Sequence, residues 1–448
     1  MKDSKQFRAV IHLSSTAVQT VVGYFNESNK ALKIVAVGVA PTDAFFAGKI
    51  NDRAKLLKAI EDSTQQAMDM ARLQLYDVGL SFATAQMYGI SDYSWKRLIR
   101  ADADSDNKQE RIIQSQDILS IFDKVDQAFA DRQYATVQMQ NHIMVLNANT
   151  NQQRAVKNPV GLFANSLGVF YHVIAVPSGY YKQMKDLFKA KEFGIYPPMF
   201  AGVAGAEYAL TEEEKQVGTC FVDIGVGITN VCLYKSGFLV FSCCIEKGGR
   251  DLTNKIAHRL NISYKEAENI KRRFGNADSS SQSRAKFINL CKTDNSGKEL
   301  SFYAFGLAEL IEEFYLELFD EVHQRILSSK LDIATKQGVV FAGGGSKMPG
   351  LDAIVRKQYG IPSRQMTLNK SVTPCERFLS EDEHFFAVKK HIESNQLYNA
   401  IGALLYQHSE QNLYDEELRY PNNTAPKNGW FGRLLDWKNR ITGIQGWM

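Results

Sequence analysis

Apolar residues arrive first in short runs rich in β-branched side chains. Arg8 to Leu13, Ala17 to Phe25 and Leu32 to Val39 read as three consecutive strands, with Ser14–Ser15–Thr16 as the first link. Spacing then changes: Leu56, Leu57, Ile60, Ala67, Met68, Ala71 and Leu75 recur at helical intervals over Arg53 to Leu75. Val78 to Ala83 returns to strand. Residues 86–159 are polar and glutamine-rich, with one helical stretch near Gln116 to Ala130 and a strand near His142 to Ala148; they read as an inserted subdomain. Val169 to Val176 is again a core strand, Tyr180 to Phe193 a helix, and Phe200 to Leu210 a helix of small residues.

The stretch from Thr219 to Tyr234, TCFVDIGVGITNVCLY, repeats the opening unit of strand, turn and strand. Gly225 and Gly227 form its turn, and Asp223 stands at the mouth. Glycines let backbone amides approach a bound group, and a carboxylate there suits a Mg²⁺ or a water better than a phosphate. An ordinary glycine turn in a buried hairpin is the alternative. The recurrence of the unit suggests a duplicated fold with one phosphate-gripping hairpin per half. Farther on, Phe238 to Ile245 is a strand, Gly248 and Gly249 open a helix, Tyr264 to Phe274 is a helix capped by Ser263, and Asn276 to Gly297 is a polar loop or hairpin. Phe302 to Leu327 is a long helix with an apolar stripe. Val339 to Ala342 runs into Gly343–Gly344–Gly345, and a helix starts at Pro349. Such a junction offers amides to an anion or nucleotide, or is simply a tight turn. Asn399 to Tyr406 is the last helix of the body.

Residues 407–427 read as a linker. In the tail that follows, Trp430, Leu434, Trp437, Ile441 and Ile444 fall on one helical face, widened by Phe431 and Leu435 and flanked by Arg433, Lys438 and Arg440. This is the pattern of an interfacial amphipathic helix. Each large apolar side chain contributes at most about 1.5–3 kcal/mol, and each basic residue near an anionic leaflet about 1 kcal/mol. Against these stand the ordering of a short helix and Gly443 and Gly446 within it. One copy therefore binds modestly and linked copies more firmly. Docking on the chain's own body, or in a partner's groove, is the alternative.

Composition adds limits. A chain of 448 residues exceeds one core and implies two large domains. A net charge of +4 is too small for the body to bind nucleic acid electrostatically. Six cysteines without a CxxC pair argue against a disulfide framework or zinc site. No apolar run of membrane-spanning length exists, and the body is expected to be cytoplasmic.

Several stretches together resemble the FtsA family of bacterial cell-division proteins, in the actin/Hsp70/sugar-kinase superfamily. They are KNPVGL (Lys157 to Leu162), AGVA…ALTEEEKQVG (Ala201 to Gly218), FVDIGVGITNVCLY (Phe221 to Tyr234), EAENIKRRFG (Glu266 to Gly275), LAELIEEFY (Leu307 to Tyr315) and FAGGGSKMPGL (Phe341 to Leu351), with the tail. The resemblance implies an α/β duplicated actin-like (ribonuclease H-like) fold, two halves around a nucleotide cleft, and an FtsA-type inserted subdomain. The halves would be residues 1–85 with 160–200, and 201–248 with 330–406. The insert would be 86–159, and 249–329 would be a small subdomain docking the C-terminal peptide of FtsZ. The tail, 428–448, would be the membrane-targeting helix.

The resemblance further implies ATP and Mg²⁺ as ligands. Ser14, Ser15 and Thr16 would form the first phosphate loop, and Asp223, Gly225 and Gly227 the second, with Asp223 holding Mg²⁺ through water. Glu268 and Lys271 would reach ribose and adenine, and Gly343, Gly344 and Gly345 would line the adenosine with Met348 near the base. Implied partners are FtsZ, copies of the chain in a filament, the anionic inner-membrane surface at the division site, and later division proteins. No catalytic residue is implied. The chain departs from the superfamily pattern at His12 and Ser14, where an acid and a glycine are usual, and at Val226 and Ile228. These changes predict weakened or less Mg²⁺-dependent nucleotide binding and slow or absent hydrolysis. A kinase or ATPase of the superfamily and an actin-like pilus-assembly protein are the competing readings.

Overall fold

The structure, a computed structural model, describes residues 7–26, 28, 30–98, 110–293, 297, 299–331, 337–376 and 382–408. β1 (Arg8–Leu13), β2 (Ala17–Asn26) and β3 (Ala31–Pro41) form an antiparallel meander. A small hairpin, β4 (Phe45–Phe46) and β5 (Lys49–Ile50), leads into α1 (Arg53–Ala71), capped by the Asp52 carboxylate on Lys55 N. The face of α1 carrying Leu56, Ile60, Ser63 and Ala67 is buried, and β6 (Asp77–Phe82) returns parallel to β1.

The inserted region holds β7 (Tyr88–Arg97), β8 (Arg111–Ile112), α2 (Ser115–Ala130), β9 (Tyr134–Leu146), β10 (Arg154–Val156), β11 (Phe163–Ala164) and β12 (Ser166–Pro177). Ile118, Ile121, Phe122, Val125 and Phe129 of α2 share a core with Leu167, Val169 and Val173. β12 pairs along its length with both β7 and β9. β7 is a strand the sequence reading lacks: Tyr88 to Arg97 is exposed or half-buried throughout, so no apolar alternation marks it. β9 starts at Tyr134, well before the expected His142, because its polar glutamines Gln138 and Gln140 are buried. Next come α3 (Ser178–Lys189), β13 (Gly194–Ile195), β14 (Met199–Phe200) and α4 (Ala201–Ala209).

The chain continues with α5 (Glu212–Val217), β15 (Thr219–Ile224), β16 (Thr229–Lys235), β17 (Phe238–Ile245), α6 (Gly249–Leu260) and α7 (Tyr264–Phe274). The polar stretch after α7 contains a 3-10 turn and the hairpin β18 (Phe287–Thr293) and β19 (Glu299–Tyr303). α8 therefore begins at Ala304 and runs to Ser328, its expected first residues belonging to β19. β20 (Val339–Ala342) is followed by α9 (Leu351–Tyr359), which starts two residues late because Gly350 sits at φ +83°. β21 (Ser363–Gln365), β22 (Val372–Pro374), α10 (Asp382–Glu393) and α11 (Tyr398–Gln407) complete the described body.

The duplication is explicit in the sheets. In the first half the order is β3-β2-β1-β6, with β13 and β14 beside β6; in the second it is β17-β16-β15-β20-β21. Both begin as antiparallel meanders and add parallel strands beside the first strand. The second sheet continues into the insert, through β17 against β7, as a nine-stranded sheet. That joint has one paired position, Cys243 with Tyr88. Ser91 Oγ donates to Val240 O at 2.8 Å, and the buried His172 bridges Ser91 and Ser242, each at 2.8 Å.

Segments late in the chain return to the first sheet. α4 packs on β15 and β16, whereas α11 packs on β1, β2 and β6. The two helices cross so closely that a Cβ on Gly402 would lie 1.8 Å from Ala204 O. β22 joins the first sheet, parallel to β3. Among the described residues, no helix is long and apolar enough to cross a membrane. Cys220, Cys232, Cys243, Cys244 and Cys375 are buried and unbridged.

Candidate functional site

In the second half the β15–β16 register ends at Ile224 with Thr229, leaving Gly225 to Ile228 as the turn. Gly225 N closes it by donating to Ile228 O at 2.9 Å. The start of α6 sits directly on this turn: Gly249 N donates to Gly225 O at 2.9 Å and Arg250 N to Val226 O at 2.8 Å. The first amides of a helix lack intrahelical acceptors and often hold an anion. Here two of them are occupied by turn carbonyls.

Asp223, one residue before the turn strand ends, is only 3% exposed. Its Oδ1 accepts from Tyr398 Oη at 2.5 Å, and its Oδ2 from Asn230 Nδ2 at 3.2 Å and Asn399 Nδ2 at 3.4 Å. Burial pushes the carboxyl up from its ordinary value, against the three hydrogen bonds. A Mg²⁺ site needs carboxylate oxygens turned toward water or phosphate. These two face side-chain donors, and among the described residues no group of three acidic, histidine or cysteine side chains could hold a metal. The residues around Asp223 do not fit Mg²⁺.

The glycine run lies against the same strand end. Gly343 has φ +85°, and a Cβ there would meet Ile224 O at 2.4 Å and Asp223 Oδ1 at 2.5 Å. Tyr315 Oη donates to Gly345 O at 2.6 Å, while a Cβ on Gly344 would meet open space. Met348 packs under Gly275, at the end of α7. From α7, Lys271 Nζ donates to Gly249 O at 2.9 Å and Thr253 Oγ1 at 2.7 Å, and pairs with Glu268 at 2.6 Å. Burial opposes ionisation of Glu268, but hydrogen bonds from Lys271, Thr253 and Arg272 outweigh it and hold its pKa at about 2. Gly225, Gly227, Gly249, Lys271, Glu268 and the glycine run therefore gather around the end of β15.

In the first half Ser14 closes its own turn: its Oγ donates to Ala17 O at 2.8 Å and accepts from Ala17 N at 3.1 Å. Ser15 Oγ accepts from Ala47 N at 3.2 Å, and Thr16 O from Thr42 N at 3.0 Å. His12 is buried with Nδ1 3.2 Å from Ser81 Oγ. Burial lowers its pKa to about 4, so at neutral pH it carries no charge for a phosphate. Gly344 thus borders open space, whereas the Ser14–Thr16 and Gly225–Ile228 turns are largely committed within the protein.

A family model for "Cell division protein FtsA" matches residues 220–388, the segment holding most of this constellation. The FtsA of Buchnera aphidicola subsp. Baizongia pistaciae (strain Bp) is 24% identical over 433 residues, covering 93% of this chain and 97% of that protein. The FtsA of Escherichia coli (strain K12) is 23% identical over 418 residues, covering 91% of each. The chain is similar to FtsA cell-division proteins along nearly its whole length. Its actin-like fold has a solved counterpart in the PilM-PilN type IV pilus biogenesis complex, with a TM-score of 0.57, 14% identity, and coverage of 90% of this chain and 98% of that one.

The tail residues Trp430, Phe431, Arg433, Leu434, Leu435, Trp437, Lys438, Arg440, Ile441 and Ile444 lie outside the described residues. Sequence reasoning missed Tyr398, Asn230 and Asn399 as the partners of Asp223. Asn230 stands opposite Asp223 in the hairpin and was legible from strand pairing; Tyr398 and Asn399 arrive from a helix 175 and 176 positions away. Phe46 and Arg250, at the seam between the two turns, carried no sequence signal.

Proposed function

We propose that this chain is a division adaptor: it assembles with copies of itself, binds the C-terminal peptide of FtsZ on the 249–329 subdomain, and tethers FtsZ filaments to the inner membrane through residues 428–448. Recruitment of later division proteins falls to the inserted subdomain. The relationship to FtsA along nearly the whole chain supports this reading. The observation that carries it over a superfamily kinase or ATPase is Asp223, whose oxygens are taken up by Tyr398, Asn230 and Asn399. An enzyme needs that carboxylate for its metal. A nucleotide would be held by its adenosine end on Gly343, Gly344, Gly345, Met348, Glu268 and Lys271, with weak metal dependence. The likeness to the pilus complex is one of fold; the KNPVGL stretch and the amphipathic tail favour division.

Deleting the residues after Lys427 is the direct test. The truncated chain should lose sedimentation with vesicles containing anionic lipid, while keeping its melting temperature and its binding of an FtsZ C-terminal peptide. Unchanged vesicle binding sinks the anchoring role. ATP turnover should match that of an Asp223→Asn variant; turnover well above that variant would mean the chain is an enzyme.

A further inference from the structure

The hairpin β4–β5 stands between the two turns and is fastened on both sides. On the first-half side, Ala47 N donates to Ser15 Oγ at 3.2 Å, and Tyr180 Oη donates to Gly48 O at 2.7 Å. On the second-half side the Phe46 ring lies on Gly227, where a Cβ would come within 2.7 Å of the ring and 3.1 Å of Ala47 Cβ. The Arg250 guanidinium sits 4.5 Å from the Phe46 ring centroid, and Lys49 pairs with Glu246. Arg250 follows the start of α6, whose amides are bound to the Gly225 and Val226 carbonyls.

Two facing turns of this kind come together when a phosphate lies between them and accepts from both. Here an aromatic ring does the bridging. It fills the space over Gly227, and its π-face takes the cation that a phosphate would otherwise attract. The Lys49–Glu246 pair is about half exposed on each side and contributes little, so the bridge depends on the ring. We propose that β4–β5 is a built-in latch: through Phe46, Ala47 and Arg250 it holds the two halves closed across the phosphate turns, so that closure does not depend on a nucleotide. The latch rests on reading Ser14–Thr16 and Gly225–Ile228 as paired phosphate turns.

Hydrogen exchange on the full chain tests it, with and without ATP and Mg²⁺. Peptides covering 225–228 and 249–251 should be protected without nucleotide and change little when it is added. Phe46→Ala should speed their exchange by about tenfold or more, with the insert core around α2 unaffected. Gly227→Ala, whose methyl collides with the ring, should do the same from the other side and serves if Phe46→Ala folds poorly. Adding Phe46→Ala to Gly227→Ala should then change little. Fast exchange in the free protein with protection only on adding nucleotide overturns the latch, as does unchanged exchange in the folded variants. ATP binding by neither wild type nor the Phe46→Ala chain leaves the latch standing and removes the nucleotide reading instead.

Discussion

The residues that decide the chemistry are buried polar groups. Asp223 illustrates how one carboxylate can be diverted: in strand register it faces Asn230, and a helix from the far end of the chain supplies Tyr398 and Asn399. Removing such an acceptor strands three donors, each of which costs about 1–3 kcal/mol when buried unpaired. His12 is a second case. Its native pKa of about 4, like that of His408, lies below the unfolded value of 6.5 because burial disfavours the charged ring. The unfolded chain therefore binds protons first as pH falls. Stability is fully present above pH 6.5 and declines toward pH 4, by up to about 1.4 kcal/mol per pH unit for each histidine. Urea unfolding at pH 7 and pH 5 should show this loss, and a His12→Gln/His408→Gln variant should lose less over that interval. Glu268, with its pKa held at about 2, adds its own loss only below about pH 4.5.

Elements with strong apolar period were legible: the hairpins around Ser14 and Gly225, α1, α2 and α8 are all marked by their spacing. The misses have physical causes. β7 is exposed on much of its length, and β9 buries glutamines, so both evade an apolar pattern. The site was legible as glycine turns but not as contacts, because Phe46, Arg250 and Tyr398 reach it through tertiary folding alone. α4 was visible as a run of small residues, yet only the structure explains them: they admit α11 at close range. Gly402→Ala should therefore cost on the order of 2–4 kcal/mol, since the methyl would lie 1.8 Å from Ala204 O and backbone must shift. Chemical denaturation measures this, and a loss under about 0.5 kcal/mol would show that the crossing is looser than described.

At the scale of the molecule, duplication and a returning segment define the body. Two sheets repeat one strand order, and one of them is extended by the insert to nine strands. β22 and α11 come late in the chain, after β20 and β21, yet return to rest on the first sheet. That return has a mechanical consequence. The last described residue, His408, stacks on Phe25 of β2, 5.5 Å between ring centroids. Tension applied to the polypeptide beyond it therefore enters through the first sheet and draws α11 along α4. Load from one end of the chain is thus shared by both halves before either can unravel alone.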